Sequence, residues 1–264
     1  MRLYHRVTGS GPPLVIVHGL LGSSANWVPI SRRFGETFRA FALDMRNHGH
    51  SPGAERMTYD DMAGDVLEFM ETHEVRRAHL LGHSMGGKVA MRLAQLHPER
   101  VERLVVVDIA PRPYEGGHEP LLDTLSGLEP GMFRTRGEVD AALSGSVSDR
   151  AVRQFLLTNI KRDERGRLVW RINLPAIRGN YLSLNEAMPM AAPFRKETLF
   201  ILGGRSRHVG LGDEPLIRRL FPETGFCIIG GAGHWVHADA PGIFFRLVQA
   251  FLSSRRDLPV VLSL

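Results

Sequence analysis

The sequence predicts an α/β fold: a mostly parallel sheet covered by helices on both faces and interrupted by a helical insertion. Three observations carry this. From residue 13 to 111, short apolar runs alternate with amphipathic segments in the order β, α, β, α, β, α, β. The same rhythm resumes at residue 197. Between the two, residues 112 to about 192 hold helical pieces and no convincing strand run. An insertion of that length between two strands reads as a functional lid rather than a structureless loop.

The elements follow in order. His5 falls in an edge strand. PLVIVHG (13–19) is a buried-strand run closed by Gly, and SANWVPISRRFG (24–35) is a short helix with a Ser cap and a Gly stop. FRAFALDMR (38–46) is the next strand. In TYDDMAGDVLEFMETHE (58–74), Met62, Val66, Phe69 and Met70 recur at helical spacing, so a helix starts at Thr58 or Asp60. RAHLLGHS (77–84) is a strand running into a turn, MGGKVAMRLAQLHPER (85–100) is a helix stopped before Pro98, and RLVVVDIAP (103–111) is a strand ended by Pro111. The insertion contributes EPLLDTLSGL, TRGEVDAALS, SDRAVRQFLLTNI and LPAIRGNYLSLNEAM as helical pieces. ETLFILGG (197–204) and GFCIIGG (225–231) are strands; DEPLIRRLFP (213–222) and APGIFFRLVQAFLSS (240–254) are helices. The core is therefore expected over 1–111 and 193–264, with the lid over 112–192.

Composition narrows the function. The 264 residues are 43% hydrophobic and 23% charged, which argues against disorder or coiled coil. No run reaches 18 apolar residues, so no membrane span is expected, and the first residues do not read as a signal peptide. The net charge of +5 comes from 33 basic and 28 acidic residues scattered among one another, without a nucleic-acid-binding signature, so no nucleic-acid partner is expected. The single cysteine, Cys227, lies in an apolar run and reads as a buried small hydrophobe.

The chemistry centres on Gly82-His83-Ser84-Met85-Gly86, a G-x-S-x-G pattern with an apolar strand before it and an amphipathic helix after it. That context presents the Ser84 hydroxyl at the carboxyl end of the sheet, where open α/β sheets bind ligands. A serine needs a base to become a nucleophile. Of the twelve histidines, His234 lies in a Gly-rich loop after the last core strand, at the same edge as Ser84. His237 precedes Asp239, read as the N-cap of the last helix, and suits a structural role. His48 and His50 form an H-x-H pair without a supporting ligand set, so they read as a polar loop and no metal is expected. His18-Gly19-Leu20-Leu21-Gly22 follows the first apolar strand, where an oxyanion-hole loop belongs; Leu20 and Met85 are the candidate N–H donors. Phe155, Leu156, Ile160, Trp170, Leu174 and Ile177 could roof an acyl pocket, although packing of the insertion on itself accounts for at least half of them. Candidate substrate contacts are His18, Phe155, Trp170, Leu174 and Trp235.

The set HGLLGSSANW (18–27), DMRNHGHS (44–51), GHSMGGK (82–88), DIAP (108–111) and AGHWVHADAP (232–241) closely resembles the α/β-hydrolase superfamily. Within it, the set resembles small bacterial acyl esterases and thioesterases related to animal abhydrolase-domain proteins. The resemblance covers 13–111 and 197–254 well and the insertion loosely. It implies hydrolysis of a small-molecule ester or thioester, a cytoplasmic setting and no cofactor; the oligomeric state is left open. A serine-dependent C–C bond hydrolase and a non-catalytic ligand-binding protein on the same fold are the alternatives. One departure matters. Most of the superfamily carries its acid just after the strand following the lid, where this chain has Ser206 and Arg207. A hydroxyl carries no charge and a guanidinium would oppose an imidazolium. Asp108, closing the strand after the nucleophile helix, is the expected acid, ahead of Asp213 and Glu214.

Overall fold

The computed structural model describes residues 1–189, 192–253 and 261–263. The strands of the central sheet, in chain order, are β1 (His5–Thr8), β2 (Pro13–Val17), β3 (Arg39–Leu43), β4 (Ala78–His83) and β5 (Val101–Val107); after the small strands β6 (Ile160–Arg162) and β7 (Leu168–Trp170) of the insertion come β8 (Thr198–Gly203), β9 (Thr224–Ile229) and β10 (Val261–Ser263). Their spatial order is β1-β3-β2-β4-β5-β8-β9-β10. β1 runs antiparallel to β3 at the edge, and the other pairings are parallel. The strand apolar runs predict this burial on both faces, because parallel strands linked by crossover helices have no wet side.

Period-two alternation divides each strand between two cores. Val15, Val17, Phe41 and Leu43 face one side, where α2 (Tyr59–Thr72) and α3 (Met85–Leu96) pack. Leu14, Ile16, Ala40 and Ala42 face the other, against α1 (Ser24–Phe34) and α10 (Pro241–Ser253). Thr58 caps α2, its hydroxyl accepting from the Asp61 N–H, which settles the helix start in favour of Thr58 over Asp60. Cys227 in β9 is buried, as its apolar run predicts.

Between β5 and β8 lie α4 (Glu119–Ser126), α5 (Arg136–Leu143), α6 (Arg150–Leu157) and α7 (Leu174–Asn185). Here the sequence reading needs correction, because the segment also holds an antiparallel hairpin, β6 (Ile160–Arg162) with β7 (Leu168–Trp170). Its strands are three residues long and its turn is charged, so no apolar run marks it. Hydrogen bonds stitch the segment to the core, among them the following. Asn159 Nδ2 donates to the Leu21 carbonyl (2.7 Å), the Asn173 N–H to the Asn47 carbonyl (2.9 Å) and the Tyr59 hydroxyl to the Leu184 carbonyl (2.7 Å). β10 was not anticipated, and Ser254, the predicted end of the last helix, lies outside the described residues. Among the described residues no helix is long and apolar enough to cross a membrane.

Candidate active site

Parallel strands all end at one edge of the sheet, so the turns after β2, β4, β5, β8 and β9 converge there. After β4 the chain turns directly into α3. Ser84 has φ 52° and ψ −122°, a region that costs a non-glycine residue about 1–3 kcal/mol. The turn is held by the Ser84 N–H donating to the Val107 carbonyl (3.0 Å) and by the Ser84 carbonyl accepting from the Gly87 N–H (2.8 Å). Glycine is required on both sides. A Cβ on Gly82 would stand 2.1 Å from the Gly86 carbonyl oxygen, and one on Gly86 would stand 2.4 Å from that of Val17. Met85 opens α3, so its N–H is among the amides at the positive end of the helix dipole.

The turn after β2 curls toward the serine. The Gly22 N–H donates to the Gly19 carbonyl (3.0 Å), and a Cβ on Gly19 would stand 3.3 Å from Ser84 Cβ. Two buried histidines brace this turn. His18 Nε2 accepts from the Met45 N–H (3.0 Å) and its Nδ1 donates to the Gly19 carbonyl (2.8 Å). His48 Nε2 accepts from the Leu21 N–H (3.1 Å) and its Nδ1 donates to the Arg46 carbonyl (2.9 Å). Each ring bridges one donor and one acceptor, which only the neutral form can do. Burial, with the neighbouring His18, pushes His48 down to about 3. His48 lies in a loop, as the H-x-H pair reads, and it is buried there.

Asp108 follows β5 with φ 53° and is 1% exposed. Its Oδ1 accepts from the Gly203 N–H (3.0 Å), and its Oδ2 accepts from the Ser206 hydroxyl (2.5 Å) and from His234 Nδ1 (2.8 Å). Burial raises the Asp108 carboxyl above its ordinary value, and the Ser206 and Gly203 donors pull it back down. With Nδ1 donating to a carboxylate, His234 keeps its lone pair on Nε2. Burial, together with His208, His118 and His237, holds the His234 imidazole far below its ordinary 6.5, so it is neutral at neutral pH. The His234 carbonyl accepts from His83 Nε2 (2.9 Å), tying the histidine loop to the residue before Ser84.

Sequence reasoning passed over two members of this cluster. Ser206 cannot be the acid; it is a hydrogen-bond donor to the acid. His208 stacks on His234, with centroids 3.7 Å apart and an 18° interplanar angle, and its Nδ1 lies 3.2 Å from Ser206 Oγ. The signal for both was their position just past a parallel strand. Asp108, His208 and His234 are residue types that bind metals, and their donor atoms lie within 4.8 Å of one another. Stacked rings, however, send their in-plane lone pairs side by side instead of toward one point, and Asp108 Oδ2 already accepts two hydrogen bonds. The competing acids are engaged elsewhere, Asp213 with Arg112 (2.7 Å) and Glu214 with Arg218 (2.7 Å). Asp239 does not cap the last helix. It closes the short α9 (Val236–Asp239), and its carboxylate accepts from the Gly233 N–H (2.7 Å). His237 is buried and stacks on Trp27 (4.1 Å).

Ser84, Met85, Leu20 and His234 line one cavity of about 580 Å³. His18, Phe155 and Trp235 line it too, with the Phe155 and Trp235 rings 5.4 Å apart. Trp170 and Leu174, expected as substrate contacts, lie elsewhere. The Trp170 indole N–H donates to the Leu128 carbonyl (3.3 Å), and Leu174 is buried in the core beside the insertion. Helical periodicity shows which side chains are buried but not whether a cavity or a neighbouring helix buries them.

Comparison with known proteins shows the family of the chain. A family model described as the alpha/beta hydrolase fold matches residues 12–241. The sn-1-specific diacylglycerol lipase ABHD11 of Xenopus laevis is 38% identical over 252 residues, covering 92% of this chain and 80% of that protein. Esterase YbfF of Escherichia coli K12 is 33% identical over 242 residues, covering 91% and 93%. Among solved structures, a marine microorganism esterase superposes with a TM-score of 0.93 at 37% identity, covering 94% of this chain and 98% of that one.

Proposed function

Because the chain belongs to the alpha/beta hydrolase fold family, we propose that it is a serine hydrolase of carboxylic esters or acyl thioesters, with Ser84, His234 and Asp108 as its triad. The observation that carries this reading is the 2.8 Å bond from His234 Nδ1 to the buried Asp108, beside a strained Ser84 in the same cavity. His234 Nε2 takes the Ser84 hydroxyl proton as Oγ attacks the acyl carbonyl. The N–H groups of Leu20 and Met85 hold the oxyanion. The proton passes to the departing alcohol or thiol, and water, deprotonated by the same imidazole, releases the acid and restores Ser84.

The favoured substrates are carboxylic esters, the class named for the esterases and the lipase among the relatives, and acyl thioesters, whose carbonyl the same serine can attack. Residues 112–192 act as the lid over a core of 1–111 and 193–264, with Phe155 meeting Trp235 where the two join at the cavity. The test is turnover of a chain-length series of 4-nitrophenyl esters alongside acyl-CoA thioesters, in wild type and Ser84→Ala. Turnover that falls by about 10³ or more in the variant is expected. A folded wild type that cleaves none of these substrates would overturn the reading.

A further inference from the structure

The cavity contains a cation that the triad does not use. Lys88 lies four residues after Ser84 on α3, on the same helix face, and its N–H donates to the Ser84 carbonyl (3.2 Å). Its side chain is 1% exposed. The ammonium donates to the Glu186 carbonyl (2.9 Å) and sits over the rings of Tyr59 (5.4 Å) and Tyr114 (5.0 Å). Among the described residues no carboxylate lies within ion-pairing distance of it. Burial, and then the like charge of Arg112, lower it to about 8, which leaves it protonated at neutral pH.

An ammonium carries three donors, and a single carbonyl satisfies one. Buried charges are otherwise paired, because removing them from water is costly. A second donor stands beside this one. Asn185, next to Glu186 in the chain, lines the same cavity, and its Nδ2 is buried without a partner. An acyl pocket for plain hydrocarbon would have no use for a buried ammonium with no carboxylate beside it, next to an unpartnered amide.

We propose that the cavity takes acyl groups ending in a carboxylate, whose oxygens are held by Lys88 Nζ and Asn185 Nδ2 while the ester or thioester carbonyl reaches Ser84. Ser84 and Lys88 are four residues apart, about 6 Å of rise along the helix axis, which suits the two ends of a short dicarboxylic acid. The inference rests on Ser84 being the nucleophile. It makes Lys88 a specificity residue, where the bland alternative makes it only a tether for the insertion through Glu186.

The test compares the mono-4-nitrophenyl ester of glutaric acid with its methyl-capped twin, which has the same chain without the charge. The wild type is expected to show the higher kcat/KM on the free-carboxylate ester. In Lys88→Met the ratio of the two kcat/KM values should fall about 30-fold or more, as when one partner of a desolvated, hydrogen-bonded charge pair is removed. Lys88→Arg should restore part of the ratio. If Lys88→Met does not fold, Asn185→Leu gives the same readout, with the ratio again expected to fall. A wild type that favours the methyl-capped ester, or variants that lower both esters by one factor, would overturn the inference and leave the Ser84 reading intact. Turnover of neither ester by a wild type that cleaves other 4-nitrophenyl esters would overturn the inference alone, and a wild type that cleaves no ester or thioester would overturn both.

Discussion

Asp108→Asn isolates the acid, because it keeps the shape of the side chain and changes one oxygen into an NH₂. In the wild type, Asp108 Oδ2 accepts from both Ser206 and His234 Nδ1, while Oδ1 accepts from the Gly203 amide. The Gly203 N–H is fixed by the backbone, so the asparagine carbonyl is pinned there and its NH₂ faces Ser206 and His234. Ser206 adapts by rotating its hydroxyl to accept. His234 adapts only by moving its proton to Nε2, so that Nδ1 can accept. That tautomer presents an N–H to Ser84 where a lone pair is needed. The expected loss in kcat is up to about 10⁴-fold, or about 5.5 kcal/mol of barrier. Steady-state hydrolysis of a short 4-nitrophenyl ester measures it, and circular dichroism confirms that the variant is folded. Asp213→Asn is the control, since its carboxylate is bound to Arg112. Near-normal kcat in Asp108→Asn, with the loss appearing instead in Asp213→Asn, would refute the reasoning.

Ser206→Ala removes a donor to the buried carboxylate. Hydrogen bonds to charged groups contribute about 1.5–3 kcal/mol, so kcat should fall by about one to two orders of magnitude, and an unchanged rate would show Ser206 to be a bystander. The pH profile follows from His234, which works as a base only when neutral. Burial and nearby histidines lower its pKa, so kcat/KM should hold as pH falls through 6.5 and decline only below that; a midpoint at or above 6.5 would contradict this. Gly86→Ala drives a Cβ to 2.4 Å from the Val17 carbonyl oxygen, a backbone atom that cannot swing aside. It should lower the thermal midpoint by several degrees or prevent folding, and a variant as stable as wild type would show that the strand–helix contact is looser than described.

Much of the fold was legible because buried parallel strands and amphipathic helices have different periods, and PLVIVHG, RAHLLGHS and RLVVVDIAP each carry theirs openly. The hairpin of Ile160–Arg162 and Leu168–Trp170 was not, since a three-residue strand gives periodicity too little length to register. Within the site, Ser84 stood out through its flanking glycines, and His234 and Asp108 through their positions after strands. Ser206 and His208 are hidden for a different reason: neither side chain can be the acid, and both lie against it, Ser206 by a hydrogen bond and His208 within 3.8 Å. His18 reads in sequence as a substrate contact and His48 as part of a polar loop, because nothing local says that the amides of Met45 and Leu21 will reach them. Lys88 shows the same limit, since its burial arises from Tyr59, Tyr114 and Glu186, all distant in the chain.

The central claim is that Ser84 is the nucleophile of a working triad, and covalent trapping tests it most directly. Wild-type protein treated with a fluorophosphonate and mapped by peptide mass spectrometry should carry one adduct, on Ser84. The adduct should be lost in Ser84→Ala and form far more slowly in Asp108→Asn. An adduct on another residue, labelling that survives Ser84→Ala, or a folded wild type that never labels would contradict the account.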